Sequence, residues 1–134
     1  MIPVEELRKE NNEIKDLSEV LSGLISNSSL RNNDVFCELL ERFQNKLDQH
    51  LKHEARSIYP ELLNHDETNI KQIAKSFLGN THELERILSK YTKRWCKHIN
   101  TEKHEEFENE TSEVFRLVNE RIQMEEKHLF PVLK

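Results

Sequence analysis

The sequence predicts an all-α fold, an antiparallel up-down four-helix bundle, and three observations predict it. Only 2 of the 134 residues are Gly and 3 are Pro, too few chain breakers for the many turns of an all-β domain. Charged residues make up 34% and hydrophobic residues 35%, the mix expected of amphipathic helices with one apolar stripe and a charged outer face. The apolar residues recur at three- and four-residue steps in four long segments separated by short polar ones. The length suits one core, and with no linker or low-complexity tract residues 1–134 read as a single domain.

The first segment runs from about Pro3 to Ile25. Pro3 suits a first helical turn, and Glu5 and Glu6 favour the positive end of the helix. Its stripe is Leu7, Ile14, Leu17, Leu21, Leu24 and Ile25. The second starts at an Asn33 or Asp34 cap and runs to about Tyr59, where Pro60 ends or kinks it and leaves Glu61-Leu62-Leu63 as a short turn. Phe36, Leu40, Phe43, Leu47, His50 and Glu54 fall on its seam. The third runs from about Asp66 to Lys97 on Ile70, Ile73, Phe77, Leu84, Leu88, Tyr91 and Trp95, with a bend expected at Gly79. The fourth follows Asn100-Thr101. Its seam is Phe107, Thr111, Val114, Val118, Arg121 and Glu125, and Pro131 stops it.

Net charge is -5 and no basic block occurs, so nucleic acid and anionic membranes are disfavoured as partners. The apolar residues never fill a membrane-spanning stretch, and MIPVEELRKE lacks the cationic start and apolar run of a signal peptide. The expected location is therefore cytoplasmic, with Cys37 and Cys96 as reduced packing thiols. No hydrolase-like Ser, His and acid arrangement and no Gly-rich phosphate loop is recognisable, so catalysis would have to rest on a metal.

The second and fourth segments end alike. Aligning Pro60 with Pro131 places Glu54 over Glu125, His50 over Arg121, Ile58 over Leu129 and Tyr59 over Phe130. Such a repeat suggests two helical hairpins related by a pseudo-two-fold axis. A His and a Glu four residues apart share one helical face and can share a metal. Helical angles centre His50, Glu54, Arg121 and Glu125 on their stripes, and buried carboxylates demand cations.

Leu7-Arg-Lys-Glu10-Asn11 with Ile14, His50-xxx-Glu54 running into Ile58-Tyr59-Pro60, the Thr81-His82 region, and Glu125-Glu126 running into Leu129-Phe130-Pro131 together resemble the hemerythrin-like family, the HHE cation-binding domains. The resemblance covers nearly the whole chain. It implies a four-helix bundle around a non-heme diiron centre, held by one His per helix and by bridging carboxylates from the second and fourth. It also implies binding or sensing of oxygen or nitric oxide, or handling of iron.

Position by position, His50, Glu54 and Glu125 match that pattern, while Asn11 and Arg121 stand where the first and fourth helices should carry His. The third-helix position is His82 by motif matching and Thr81 by stripe register. Thr81 is preferred, because His82 points away from the apolar face unless a bulge at Gly79 turns it inward. A guanidinium stays protonated and does not ordinarily ligate iron, but it makes paired hydrogen bonds to carboxylates. The expectation is a degenerate member: a non-catalytic binding or regulatory module with an eroded diiron site, its carboxylates neutralised by Arg121 and a protonated His50. The alternative is a working non-heme iron protein, with His50, Glu54, Glu125 and His82 as ligands. His53, His65, His98, His104 and His128 are expected at the surface, His128 nearest the inward face. A protein partner is left open.

Overall fold

A computed structural model describes residues 4–25, 34–95 and 104–133. Five α-helices are seen among them: α1 (Val4–Ile25), α2 (Asp34–Ser57), a short α3 (Tyr59–Leu63), α4 (Thr68–Trp95) and α5 (His104–Met124). A π-helical turn, Glu125–Leu129, and a 3-10 turn, Phe130–Val132, continue from α5. The described residues contain no strand. The expected starts at Pro3, Asn33 and Asn100-Thr101, and the expected end at Lys97, lie outside the described residues.

The long helices α1, α2, α4 and α5 form the bundle, and their direction follows from what meets at each end. At one end, Phe36 near the start of α2 and Trp95 at the end of α4 both pack edge-on against Phe107 near the start of α5, with ring centroids 5.8 and 5.2 Å away. At the other, Asn11 of α1, His50 of α2 and Arg121 of α5 all touch Glu125. Successive helices therefore run antiparallel, as the short polar connections require.

Every long helix has the same three-part core face. Ile14, Leu47, Leu84 and Val118 lead into a large apolar cluster that includes the Phe36, Trp95 and Phe107 rings. Leu7, Ile58, Phe77 and Leu129 belong to a smaller one at the opposite end. Between the two clusters lies one polar layer: Asn11, then His50 and Glu54, then Thr81, then Arg121 and Glu125. Each fully buried large apolar side chain stabilises the fold by about 1.5–3 kcal/mol. The two clusters thus bear the cost of burying what lies between them.

The seams of α2 and α5 are buried at every predicted position. In α1, Leu17, Leu24 and Ile25 are only partly buried, and Asn11 and Ser18 take the central positions. Pro60 breaks the chain as expected: α2 ends at Ser57 and α3 restarts at Tyr59 with the proline in its first turn. Pro131 repeats this after Leu129. The residues at the two breaks, Ile58 (φ -113°, ψ -52°) and Leu129 (φ -95°, ψ -56°), have similar backbones, which gives the sequence repeat a structural counterpart.

Three expectations need correction. Gly79 does not interrupt its helix; α4 is continuous α-helix from Thr68 to Trp95, starting two residues after Asp66. The irregularity lies instead at Glu125, where α5 widens into the π-helical turn. Cys37 is disulfide-bonded, not a reduced thiol. Cys96, the other cysteine, lies outside the described residues.

Candidate functional site

The polar layer is built around one side chain. Arg121 is 3% exposed, and all five of its N–H donors are used. Nε donates to Glu125 Oε2 at 2.7 Å. Nη1 donates to the Phe77 carbonyl and to Asn80 Oδ1, each at 2.9 Å. Nη2 donates to Glu54 Oε1 at 2.9 Å and to the Tyr59 hydroxyl at 2.7 Å. The guanidinium carbon also lies 4.9 Å from the centroid of the Phe77 ring. The i, i+4 spacing puts Arg121 one turn before Glu125 on the same face, and α4 closes over it from the side.

His50 is the second cation. Its Nε2 lies 2.8 Å from Glu125 Oε1, and its Nδ1 lies 2.8 Å from Glu10 Oε1. Both ring nitrogens face carboxylate oxygens, so both carry protons and the ring is an imidazolium. Burial alone would lower its pKa, but the hydrogen bonds to Glu10 and Glu125, with the Glu54 carboxyl close by, outweigh this and push it up to about 12. Glu10 also accepts from His53 Nδ1 at 2.6 Å, so it links the core histidine to a second one at the bundle surface.

The two central carboxylates differ. Burial raises Glu125, but the His50 hydrogen bond and the charges of His50 and Arg121 prevail and hold it below the ordinary carboxylate range. Its Oε1 accepts from Asn11 Nδ2 as well, at 3.0 Å. Glu54 moves the other way. Burial, then repulsion from Glu125, push it up against the attraction of His50 and Arg121. Its Oε2 has no hydrogen-bond partner, and His50 Nε2 stands 3.5 Å off. The asymmetry follows from the contacts: Glu125 is bonded by both cations, His50 and Arg121, whereas Glu54 is bonded by Arg121 alone.

His50, Glu54 and Glu125 are brought together and form a possible metal-binding group: one ligand atom from each lies within 4.8 Å of the others. His82 is not part of it. Its side chain is 73% exposed and reaches only toward Glu85, because α4 stays regular past Gly79. Thr81 is the residue that faces the core; its hydroxyl donates to the Phe77 carbonyl at 2.9 Å. Asn11 is buried at 1%. His128 is exposed, His65 is half-buried and bonds its own turn, and His53 is half-buried against Glu10. His98 and the His104 side chain lie outside the described residues.

Sequence reasoning missed Glu10, Tyr59 and Asn80. Glu10 sits between Leu7 and Ile14 at helical spacing, beside Asn11. Tyr59 occupies the position held by Phe130 in the repeat, and its extra hydroxyl is the atom that accepts from Arg121. Asn80 follows Phe77 by three residues, on the side of α4 that Arg121 reaches.

Fold and site define an all-α bundle protein with a buried carboxylate and histidine centre. The family model of the Hemerythrin HHE cation binding domain matches residues 2–133, nearly the whole chain, and the protein belongs to that family. No curated protein and no solved structure matches it. Beside the His50, Glu54 and Glu125 group the layer holds an amide, Asn11, a hydroxyl, Thr81, and a permanent cation, Arg121, none of them an ordinary iron ligand. The guanidinium of Arg121 spans Glu54 and Glu125.

Proposed function

We propose that this chain is a non-catalytic binding or regulatory module of the hemerythrin-like family, in which an internal cation stands in for the iron pair. One observation carries the reading: Arg121 donates to both central carboxylates from a fully bonded, buried position. With His50 protonated on both nitrogens, each carboxylate has a cation partner and no metal is needed for charge balance. Such a cluster need not add stability, since desolvation costs several kcal/mol per ion, but it specifies one arrangement of the four helices. The role proposed is therefore binding or regulation, with the partner left open.

A second reading is supported by two other atoms. Glu54 Oε2 and Asn11 Oδ1 are buried acceptors without a donor. Together with His50 and Glu125 they would suit a single ion beside Arg121, and a protein binding oxygen or nitric oxide through that ion.

The two readings separate on metal content. The protein purified after addition of ferrous salt should hold well under one iron per chain and keep its helical content in chelator. Stoichiometric iron with a ligand-to-metal absorption band would sink the internal-cation reading and favour the second. Arg121→His should raise iron uptake, because it removes the competing cation and restores a ligand. Unchanged uptake would count against Arg121 as the element that displaces metal.

A further inference from the structure

Beyond the polar layer itself, α4 and α5 leave a cavity of about 220 Å3 between them, open at the surface. Its walls include Phe77, Leu117 and Met124, and Arg121 lines its inner side. Met124 is among the few large apolar side chains left exposed, at 46%. The volume lies below the roughly 300–1,000 Å3 of drug-sized sites, so a fragment-sized occupant fits.

The hydrogen bonds of Arg121 indicate which occupant. Four of its five partners, on Phe77, Tyr59, Glu54 and Glu125, are buried in the bundle. The fifth, Asn80 Oδ1, belongs to an exposed side chain on the cavity wall. Only this acceptor can swing away without opening the core. Doing so would present one Nη1 N–H, already desolvated and held in place, to whatever fills the cavity. A buried donor left unmatched costs about 1–3 kcal/mol, so the exchange requires a replacement acceptor.

Charge narrows the class further. Arg121 already bridges Glu54 and Glu125, and Glu120 stands on the cavity wall. A fourth negative group would be repelled, and a positive one would face the guanidinium. We infer that this cavity binds a small neutral molecule with a carbonyl-type acceptor and a compact apolar body, the acceptor taking the place of Asn80 Oδ1 on Arg121. This inference depends on where Arg121 lies, not on whether the cluster accepts a metal.

Titration of the full chain with benzamide, benzoate and toluene, followed by NMR at the Arg121 Nε–H and the Met124 methyl, tests it. The three probes share one ring and differ in acceptor and charge. Benzamide should shift both signals and bind at least about tenfold tighter than either of the others, the equivalent of one good hydrogen bond. Asn80→Ala should strengthen benzamide binding several-fold, because it removes the competing acceptor. Ser76→Trp, a substitution at an exposed wall position, should abolish binding by filling the mouth while leaving the helical content unchanged. Benzoate binding as tightly as benzamide would replace the inference with an anion site. Equal binding of toluene would reduce it to an apolar void. No shift with benzamide, or weaker binding in Asn80→Ala, would overturn it.

Discussion

The aromatic end of the bundle and the polar layer around Arg121 are equally buried, yet they are held together by different physics. Around Phe107, two edge-on ring pairs lie 5.8 and 5.2 Å apart, and the buried contacts there are mainly short-ranged and apolar. Around Arg121, five hydrogen bonds and two carboxylates converge on one charge. Removing a ring leaves a void. Removing the guanidinium leaves two buried carboxylates with only His50 to balance them, in a medium that cannot solvate the excess charge. The aromatic end therefore fails locally and in proportion to lost volume, while the polar layer fails as a unit.

The largest effects should look alike at first. Phe107→Ala and Arg121→Ala should each cost about 3–5 kcal/mol in urea denaturation, the first as a cavity and the second as a broken buried pair. A loss below about 1 kcal/mol for Arg121→Ala would mean that the arginine is solvated in solution.

Replacing whole groups separates the two regions more sharply. Converting Arg121 to Met together with Glu54, Glu125 and His50 to Leu removes every buried charge at once. The combined variant should lie within about 1–4 kcal/mol of the parent, on the stable side if packing is good. At the aromatic end, adding Phe36→Ala to Phe107→Ala should only deepen the loss. A combined polar-layer variant less stable than Arg121→Ala alone would show that the network contributes net stability, contrary to the desolvation argument.

The same contrast explains what was legible in the sequence. The aromatic end depends on apolar residues at three- and four-residue spacing, and Phe36, Trp95 and Phe107 all stood on predicted stripes. Arg121 and Glu125 were legible because polar residues interrupted those stripes in register. Thr81 was placed over His82 by the same arithmetic. Glu10 was not legible in this way. It lies off the stripe centre, and only the depth of His50 draws it into the network. The π-helical turn at Glu125 had no visible signal either, since Glu-Glu-Lys-His is unremarkable in an α-helix. Asn80 and Tyr59 act through a hydrogen-bond geometry that side-chain periodicity does not encode.

Glu10 also supplies the smallest and most specific test, through pH. His50 has its folded pKa raised from 6.5, so its stabilising contribution is complete below 6.5 and fades as pH rises toward about 12. Glu54 is raised from 4.5, so its contribution likewise begins to fade as pH climbs above 4.5. Glu125 and Glu10 are lowered from 4.5, the latter against burial by hydrogen bonds to His50 and His53, and they lose their contributions as pH falls below it. Stability from the polar layer should therefore peak near pH 4.5, where the gains from Glu125 and Glu10 level off and the loss from Glu54 sets in, and fall further above 6.5 as His50 adds its own loss, whereas apolar ring packing has no such dependence. Glu10→Gln keeps the shape but removes the charge behind His50 Nδ1. Because Glu10 is one-fifth exposed, the cost should be modest, about 1–2 kcal/mol near neutral pH. The gap between parent and variant should close as pH falls below 4.5, where the parent's Glu10 takes up its own proton. It should close again in strong base, where His50 gives up its proton in both. The His50 ring signals, followed by NMR, should titrate at a lower pH in the variant. An unchanged His50 titration would show that Glu125 alone keeps the ring charged, and would leave Glu10 as a surface partner of His53.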